Sequence, residues 1–341
     1  MRRIRVLVVD DSILFREVLA RGISSDPGID VVATANDPFE ARDKILAYEP
    51  DIMTCDVAMP KMSGIEFIQR LIPQYPLSVI VVSGASDAVF DAMSAGAVDF
   101  VGKPDMKSVK CVEDFINELI GKIKIAASAK IIQSISGNAS KVIENGRNNE
   151  GTDKIIAIGA STGGTEAIYN LLSTFPENTP GIVIVQHIPP VFSKMFAERL
   201  DNSTLLKVKE AQTGDYIERG QVLIAPGDKH LKIKKIGEKY KVECFEGEKV
   251  NGHCPSVDIL FDSVAKEAGR QSIGIILTGM GYDGAKGLLA MRRRGARTIG
   301  QDESSSIVYG MPKVAFDVGA VERQVPLENI PQVLFSLLSG G

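Results

Sequence analysis

The chain has 341 residues, of which 44% are apolar, which is enough for two hydrophobic cores and long for a single domain. The net charge is −4, and residues 153–341 carry 22 basic and 22 acidic side chains, so the negative excess lies in the first 152 residues. This neutral second half argues against a nucleic-acid-binding domain, which is usually basic. Because no apolar run approaches the length of a membrane span, we expect a cytoplasmic protein with no membrane insertion and no nucleic-acid partner.

Five short apolar runs in the first half alternate with longer stretches patterned like helices. The predicted strands cover residues 4–9, 31–35, 52–55, 79–82 and 99–101. This repeated alternation predicts an α/β, flavodoxin-like (βα)5 domain, whose parallel sheet is covered by helices on both faces. In such a sheet, functional groups gather beyond the carboxyl ends of the strands.

Acidic and polar residues follow these predicted strands, namely Asp10, Asp11, Asp56, Ser83 and Lys103. Three converging carboxylates repel one another unless a divalent cation joins them, and a site rich in oxygen suits Mg²⁺. Lys103 offers a positive charge to a phosphoryl group, and the Ser83 hydroxyl offers it a hydrogen bond. Any one of these acids could instead cap a helix, but the joint pattern favours a phosphoryl acceptor site.

Four segments at these strand ends resemble the receiver domain of bacterial response regulators, over residues 3–122. The resemblance implies phosphorylation of Asp56 and Mg²⁺ held by Asp11, Asp56 and the carbonyl of Ala58, with Asp10 in support. The segments that carry the resemblance are Val8-Val9-Asp10-Asp11-Ser12, Cys55-Asp56-Val57-Ala58-Met59-Pro60-Lys61-Met62-Ser63-Gly64, Ser83-Gly84-Ala85 and Lys103-Pro104.

The same resemblance implies a phosphorylation-sensitive switch made of Ser83 and the aromatic residue Phe100, with Lys103 contacting the phosphoryl group. Two positions depart from common receiver sequences, because Ala58 stands where an acid is frequent and Gly102 where Thr or Ser is frequent. Both positions flank the site. We therefore expect them to change the lifetime of the phosphorylated state without removing the chemistry.

Residues 121–152 lose the periodic apolar positions of the preceding helical pattern, and Ser, Gly and Asn take their place. This composition predicts a helical exit followed by a flexible connector. We therefore predict a receiver domain over residues 1–122, a linker over 123–152 and a catalytic domain over 153–341.

Eight strand signals recur in the second half, and most of them alternate with helical patterns. They cover residues 155–158, 182–185, 205–209, 222–225, 231–236, 241–245, 273–277 and 298–299. Residues 222–245 look instead like an antiparallel hairpin inserted among the others. We predict a second doubly wound α/β sheet, mostly parallel, with an antiparallel edge hairpin.

A candidate nucleophile stands at the end of the first of these strands. The segment Gly159-Ala160-Ser161-Thr162-Gly163 fits the pattern G-x-S-x-G, in which glycines permit a sharp turn from strand to helix. The free N–H groups of the new helix can then stabilise an oxyanion. The serine at such a turn is exposed, but it still needs a base.

The chain has three histidines that could supply this base. His187 ends the predicted strand most suited to lie beside that of Ser161, whereas His230 lies at a turn between edge strands and His253 in a polar loop. His187 is therefore the preferred base. The acid that orients it is predicted to be Asp283, in the glycine-rich loop after a further buried strand, with Asp258 as the alternative.

These segments resemble the chemotaxis protein-glutamate methylesterase family, whose members are also protein-glutamine glutaminases. The resemblance implies Ser161 as nucleophile, His187 as general acid and base, Asp283 as orienting acid, and backbone oxyanion donors at Thr162 and Met280. The segments that carry the resemblance are Ile158-Gly159-Ala160-Ser161-Thr162-Gly163-Gly164, Gln186-His187, Ala225-Pro226-Gly227-Asp228-Lys229-His230, Pro255-Ser256-Val257-Asp258-Ile259-Leu260-Phe261 and Leu277-Thr278-Gly279-Met280-Gly281-Tyr282-Asp283-Gly284.

The resemblance implies a hydrolase that demethylates glutamate methyl esters on membrane chemoreceptors, releases methanol and deamidates selected receptor glutamines. It also implies a chemotaxis histidine kinase as phosphodonor, Mg²⁺ in the receiver, no cofactor at the esterase site, and inhibition by the receiver until Asp56 is phosphorylated. Cys254 stands where the family often has Arg, which puts one substrate contact in doubt.

Other interpretations of the sequence stay open. One is a signalling module without enzymatic activity, in which phosphorylation of Asp56 exposes a binding surface and the second domain is only a scaffold. The run Arg292-Arg293-Arg294 could dock the receptor, although such a run is more often a solvated helix face.

Overall fold

The computed structural model describes residues 2–84, 88–104, 108–127, 129 and 154–339. The chain divides into two compact units, residues 1–135 and 136–341. Most of the predicted linker, and Ala85 of the receiver resemblance, lie outside the described residues. The predicted domain boundaries therefore stay predictions.

The first unit is a five-stranded parallel sheet in the order β2-β1-β3-β4-β5, which confirms the predicted (βα)5 fold. Its central strands are buried along their whole length, as both covered faces of a parallel sheet require. The strands are β1 Ile4–Val9, β2 Ile29–Ala35, β3 Ile52–Cys55, β4 Ser78–Ser83 and β5 Asp99–Gly102. The helices are α1 Ile13–Ile23, α2 Pro38–Tyr48, α3 Gly64–Leu71, α4 Ala88–Ser94 and α5 Val109–Ala126.

Local sequence determines where these helices begin. The Asp37 carboxylate accepts hydrogen bonds from the backbone N–H groups of Phe39 and Glu40, and Pro38 occupies the first position of α2. Ser63 caps α3 in the same way, through its hydroxyl and the N–H of Glu66. The cap of α2 follows the end of β2 closely, whereas residues 56–63 form a longer loop between β3 and α3 that begins with Asp56.

The second unit is a seven-stranded sheet in the order β14-β13-β12-β6-β7-β9-β8, and every neighbouring pair is parallel. Its strands are β6 Ile155–Ala160, β7 Ile182–Gln186, β8 Lys207–Glu210, β9 Gln221–Ile224, β12 Ser272–Ile276, β13 Arg297–Gln301 and β14 Arg323–Val325. Its helices are α6 Gly164–Leu172, α7 Pro190–Ser203, α8 Val257–Glu267, α9 Ala285–Arg293, α10 Met311–Asp317 and α11 Ile330–Ser339. The predicted doubly wound fold is confirmed.

An antiparallel hairpin is present as predicted, but it covers only β10 His230–Ile236 and β11 Lys239–Phe245. The predicted range of 222–245 and the predicted edge position are wrong, because residues 222–224 belong to β9, which pairs parallel with β7 and β8 inside the large sheet. Strands β10 and β11 form a separate sheet of their own, and β10 packs on α8. The last strand of the large sheet, β14, was not predicted, because its three residues are only partly buried and form no apolar run.

Strand β6 lies between β12 and β7 at the centre of the large sheet, where the strand order reverses. This position confirms the predicted adjacency of the strands that end at Ser161 and His187. The crevice beyond the carboxyl ends at such a reversal is the usual ligand-binding place of an open α/β sheet. None of the described helices is both long enough and apolar enough to cross a membrane.

Helices α8 and α9 approach each other closely at Gly287. A Cβ atom added there would lie 2.7 Å from Cβ of Phe261 and 2.9 Å from the carbonyl oxygen of Asp258. Since the obstructing atoms belong to a neighbouring helix and its backbone, substitution must push α8 and α9 apart.

We therefore expect Gly287→Ala to lower the free energy of unfolding of the second unit by about 1–3 kcal/mol, as overpacking does. Gly121→Ala in α5 is the matched control, because no atom lies within 4 Å of a Cβ added at that helical position. Calorimetry of both full-length variants tests this. An unchanged melting transition for Gly287→Ala would contradict the predicted clash.

Candidate active site and phosphorylation site

Ser161 directly follows β6, at the turn into α6. Its N–H donates to the carbonyl of Thr278 at 3.0 Å, and its own carbonyl accepts from the N–H of Gly164 at 2.7 Å. Gly163 has a φ of 76°, which favours glycine, and no side chain caps α6. The first N–H groups of α6 therefore point, with the positive end of the helix dipole, toward the serine side of the turn.

The loop after β12 approaches the other side of Ser161. A Cβ atom added at Gly279 would lie 2.6 Å from Cβ of Ser161, so only glycine permits this approach. Gly279 is held by hydrogen bonds with Val308 and Met311. Met280, the next residue, has a side chain that is 47% exposed, whereas Thr162 is buried. Oxyanion donation by the N–H groups of Thr162 and Met280 remains a prediction.

His187 directly follows β7, and its imidazole is nearly buried. Its Nε2 lies 2.9 Å from Oδ2 of Asp283, so Nε2 carries the proton that the carboxylate accepts. Its Nδ1 is buried and has no hydrogen-bond partner among the described residues. Nδ1 is thus the nitrogen available to a nucleophile, whereas in the familiar serine-protease triad Nδ1 faces the acid.

The structure does not join Ser161 Oγ to His187 by a hydrogen bond within the described part of the chain. The two residues nevertheless lie at the ends of paired strands, and the N–H of His187 donates to the carbonyl of Ala160 at 3.1 Å. Hydrogen bonds between a nucleophile and its base are often long before substrate binds.

Asp283 is 1% exposed and is held by the N-terminus of α8. Its carboxylate accepts from the hydroxyl of Ser256 at 2.8 Å and from the N–H groups of Val257 at 2.7 Å and Asp258 at 3.2 Å. Burial acts to raise the pKa of Asp283. The hydrogen bond and positive charge of His187 act in the opposite direction, as do the hydrogen bonds from Asn251 and Ser256, and together they outweigh burial. The pKa is therefore lowered, and Asp283 stays ionised.

Asp258, the alternative acid, lies beside Asp283 and does not contact His187 in the described hydrogen-bond network. Its Oδ1 accepts from the N–H of Gly287 at 2.7 Å in the first turn of α9. Burial, together with the negative charge of Asp283, raises the pKa of Asp258. Asp258 is a helix-capping residue, and Asp283 is the acid that reaches the histidine.

Three contributors to the site were missed by sequence reasoning. The side-chain amide of Asn251 donates at 2.8 Å to both Asp258 and Asp283, and Ser256 adds its hydroxyl to Asp283. The ring of His253 stacks on that of His187, with centroids 3.7 Å apart and planes 10° from parallel. Ser256 lies in a segment that carries the family resemblance and His253 was one of the three candidate histidines, but their contacts with Asp283 and His187 could not be predicted, because a separate loop brings them to the site.

The structure also shows what surrounds His230 and the arginine run. His230 uses both ring nitrogens, since Nε2 donates to the carbonyl of Glu248 at 2.9 Å and Nδ1 accepts from the N–H of Ser256 at 3.2 Å. His230 is therefore structural. In the arginine run, Arg292 donates to the carbonyls of Gly319 and Val321, which favours a structural role for that residue.

The acids of the first unit converge as predicted. One oxygen each of Asp10, Asp11 and Asp56 lies within 4.8 Å of the others, close enough for one cation. Lys103 Nζ donates to Asp10 at 2.9 Å and to Asp56 at 2.7 Å. This donor set of clustered carboxylate oxygens fits Mg²⁺, and Asp11, which is exposed, keeps the site open to solvent.

Charge and burial act against each other in this cluster. Burial raises the pKa of Asp10 even though Lys103 opposes the shift. Burial acts to lower the pKa of Lys103, but its hydrogen bonds to Asp56 and Asp10 outweigh burial and raise that pKa. Lys103 therefore remains a cation beside the candidate acceptor Asp56.

The predicted switch residues lie in the neighbouring strands. Ser83 ends β4 and Phe100 lies in β5, and both are buried. Phe100 packs edge to face on Phe90, with ring centroids 5.9 Å apart. Ala58 is exposed after β3, and its N–H donates to Asp56 at 3.3 Å. The roles of these residues in switching and metal binding stay predictions.

The two units of the chain match two different known protein families. Residues 156–334 match the family described as CheB methylesterase, and residues 6–110 match the Response regulator receiver domain. The solved CheB methylesterase catalytic domain of Thermotoga maritima is 38% identical, with a TM-score of 0.53, and the match covers 55% of this chain and 99% of that domain.

Full-length relatives are similar over nearly the whole chain. A Syntrophomonas wolfei protein, described as protein-glutamate methylesterase/protein-glutamine glutaminase 2, is 58% identical over 339 residues, which cover 99% of each chain. A Salmonella typhimurium protein-glutamate methylesterase/protein-glutamine glutaminase is 43% identical over 345 residues, 100% of this chain and 99% of the relative. Both family resemblances expected from the sequence are confirmed.

The lowered pKa of Asp283 predicts a pH dependence of stability. A carboxyl whose pKa is depressed by folding stabilises the folded state above its unfolded pKa, and this contribution is lost as the pH falls. We expect Asp283→Asn to destabilise the second unit by about 2–4 kcal/mol near neutral pH, with the deficit shrinking below about pH 4.

Asp258→Asn is the matched control. Since the pKa of Asp258 is raised, acidification should stabilise the wild type relative to this variant, which is the opposite sign. Denaturant unfolding of the three proteins across this pH range measures both differences. A deficit of Asp283→Asn that stays constant on acidification would contradict the assignment of Asp283 as an ionised, hydrogen-bonded carboxylate.

Proposed function

The chain belongs to the CheB methylesterase family, and we propose that its second unit hydrolyses glutamate methyl esters on chemoreceptors. The products are glutamate and methanol, and the activity serves adaptation in bacterial chemotaxis. The same site deamidates selected receptor glutamines, because both reactions pass through an oxyanion on an acyl group. We place the reaction in the cytoplasm, at the cytoplasmic helices of the receptors.

The observation that carries this proposal is the 2.9 Å hydrogen bond between His187 Nε2 and Asp283 next to the turn that holds Ser161. Because Asp283 keeps the proton on Nε2, Nδ1 of His187 is unprotonated and accepts the proton of Ser161 as Oγ attacks the ester carbonyl. The N–H groups of Thr162 and Met280 then stabilise the oxyanion.

Collapse of this intermediate breaks the bond to the methoxy group, which leaves as methanol with the proton from His187. The acyl group remains on Ser161 Oγ. A water molecule then gives its proton to Nδ1 of His187 and attacks the acyl carbonyl, and glutamate is released as the serine recovers its proton. In deamidation the leaving group is ammonia and the remaining steps are the same.

In the first unit, we assign Asp56 as the phosphoryl acceptor, with a chemotaxis histidine kinase as donor. Asp11, Asp56 and the carbonyl of Ala58 would hold Mg²⁺, with Asp10 in support, and the bound ion would neutralise the phosphoryl oxygens. Lys103, 2.7 Å from Asp56, supplies a positive charge to the same oxygens. Ser83 donates its hydroxyl once the phosphoryl group is present, and Phe100 completes the switch.

The receiver is proposed to inhibit the esterase until Asp56 is phosphorylated. A tethered domain acts at high effective concentration, so weak binding suffices to cover an active site. Phosphorylation then activates the enzyme only if it favours the uncovered arrangement.

The enzymatic assignment is tested by methanol release from methylated receptor. We expect Ser161→Ala and His187→Gln each to lower the rate by about 1,000-fold or more, because members of a triad act as a unit. His230→Gln, which alters a buried histidine outside the triad, is the control for folding. Activity of Ser161→Ala close to that of a stably folded wild type would refute the nucleophile and favour the scaffold alternative.

The inhibitory role predicts a second result. A fragment of residues 153–341 should demethylate receptor faster than the unphosphorylated full chain, and a small phosphodonor with Mg²⁺ should accelerate only the full chain. Asp56→Asn should remove that acceleration and leave the basal rate. Equal rates for the fragment and the unphosphorylated full chain would contradict inhibition by the receiver.

A further inference from the structure

Gln186 is the last residue of β7, and its side chain is buried between the two proposed catalytic residues. Its Nε2 donates to the main-chain carbonyl of Ser161 at 2.9 Å and to that of His187 at 3.1 Å. We propose that Gln186 is a positioning residue that fixes Ser161 relative to His187. This inference rests on the proposed roles of those two residues.

The hydrogen bonds of Gln186 lie just beyond the point where backbone hydrogen bonds pair β6 with β7. The pairing of β6 with β7 ends at Ala160 and Gln186, followed by one hydrogen bond from the N–H of His187 to the carbonyl of Ala160. Beyond that point the chains turn away into α6 and α7. The carboxamide of Gln186 replaces the missing ladder and links the backbone of the nucleophile to that of the base.

The orientation of this carboxamide follows from its surroundings. Two carbonyl oxygens can only accept hydrogen bonds, so the NH₂ group must face them. The other atom, Oε1, is buried without a hydrogen-bond partner among the described residues. A Cβ atom added at Gly164 would lie 2.1 Å from Oε1, so the oxygen sits against the first turn of α6.

An unpaired buried acceptor is costly, and such groups in native proteins call for an explanation. Here the positive N-terminal end of α6 offsets part of the cost of burying Oε1. A side chain selected for packing alone would be apolar at this position. The double donation of Nε2 is the property that only an amide of this length supplies.

Two substitutions separate positioning from packing. Gln186→Met keeps the length and removes the donor, and it should lower kcat on the order of tenfold to a hundredfold, with KM changed far less. Gln186→Glu is nearly isosteric, but an ionised carboxylate repels both carbonyls. Burial raises the pKa of the introduced carboxyl, and its protonated form donates one hydrogen bond.

The ratio of the Gln186→Glu rate to the wild-type rate should therefore rise as the pH falls from about 8 to about 5.5. Gln221→Met is the matched control, because Gln221 begins β9, next to the start of β7 and thus at the opposite end of the strands from Gln186. Its Oε1 is also buried without a hydrogen-bond partner among the described residues. Gln221→Met should leave kcat and the pH profile unchanged.

The rate at which a fluorophosphonate labels Ser161 gives a readout that does not depend on the natural substrate. We expect Gln186→Met to slow labelling in parallel with kcat. Any one of three outcomes would overturn the positioning role. They are a wild-type labelling rate in Gln186→Met, a loss of activity in Gln221→Met equal to that in Gln186→Met, and a rate ratio for Gln186→Glu that does not depend on pH. A wild type that is labelled normally but releases no methanol would instead refute the proposed function and leave the labelling comparison to decide on Gln186.

Discussion

The buried carboxylate of Asp283 is the group on which the second unit depends. It accepts hydrogen bonds from Ser256 and from the first N–H groups of α8, while Asp258, in the first turn of α8, accepts from Gly287 in the first turn of α9. The N-terminal N–H groups of α8 thus donate to Asp283, which precedes α9, and an N–H group at the start of α9 donates to Asp258, which lies in α8. Two carboxylates can be buried side by side because helix N-termini and Asn251 satisfy their oxygens.

This arrangement determines the chemistry of His187. Because Nε2 is hydrogen-bonded to Asp283, Nδ1 is the ring nitrogen without a hydrogen-bond partner among the described residues, the reverse of the arrangement in serine proteases. The ring of His253 then covers one face of the imidazole. The residues of the site come from three strand ends and one loop, and the geometry therefore depends on how closely β6, β7 and β12 are held together.

The two units use the same structural rule for different reactions. In both, the residues with chemical roles follow buried parallel strands, where side chains from adjacent strands meet. In the first unit the result is a cluster of carboxylates with Lys103 as its counter-charge. In the second it is a serine turn beside a histidine whose tautomer is set by a buried acid. Under the proposed function, phosphoryl transfer at the first site regulates acyl transfer at the second.

Much of this protein could be predicted from sequence because strand ends carry strong local signals. The acids at positions 10, 11 and 56 and the glycine-flanked Ser161 each follow an apolar run, and both α/β folds follow from the alternation of strand and helix. The short strand β14 has no such pattern, and its partly buried residues pair only because β13 lies beside them. Asn251, Ser256 and His253 come from a loop whose place depends on packing of the hairpin and α8. The tertiary structure likewise decided which nitrogen of His187 remains free and which two carbonyls Gln186 joins. Hydrogen bonds between residues distant in sequence leave no periodic pattern in the sequence.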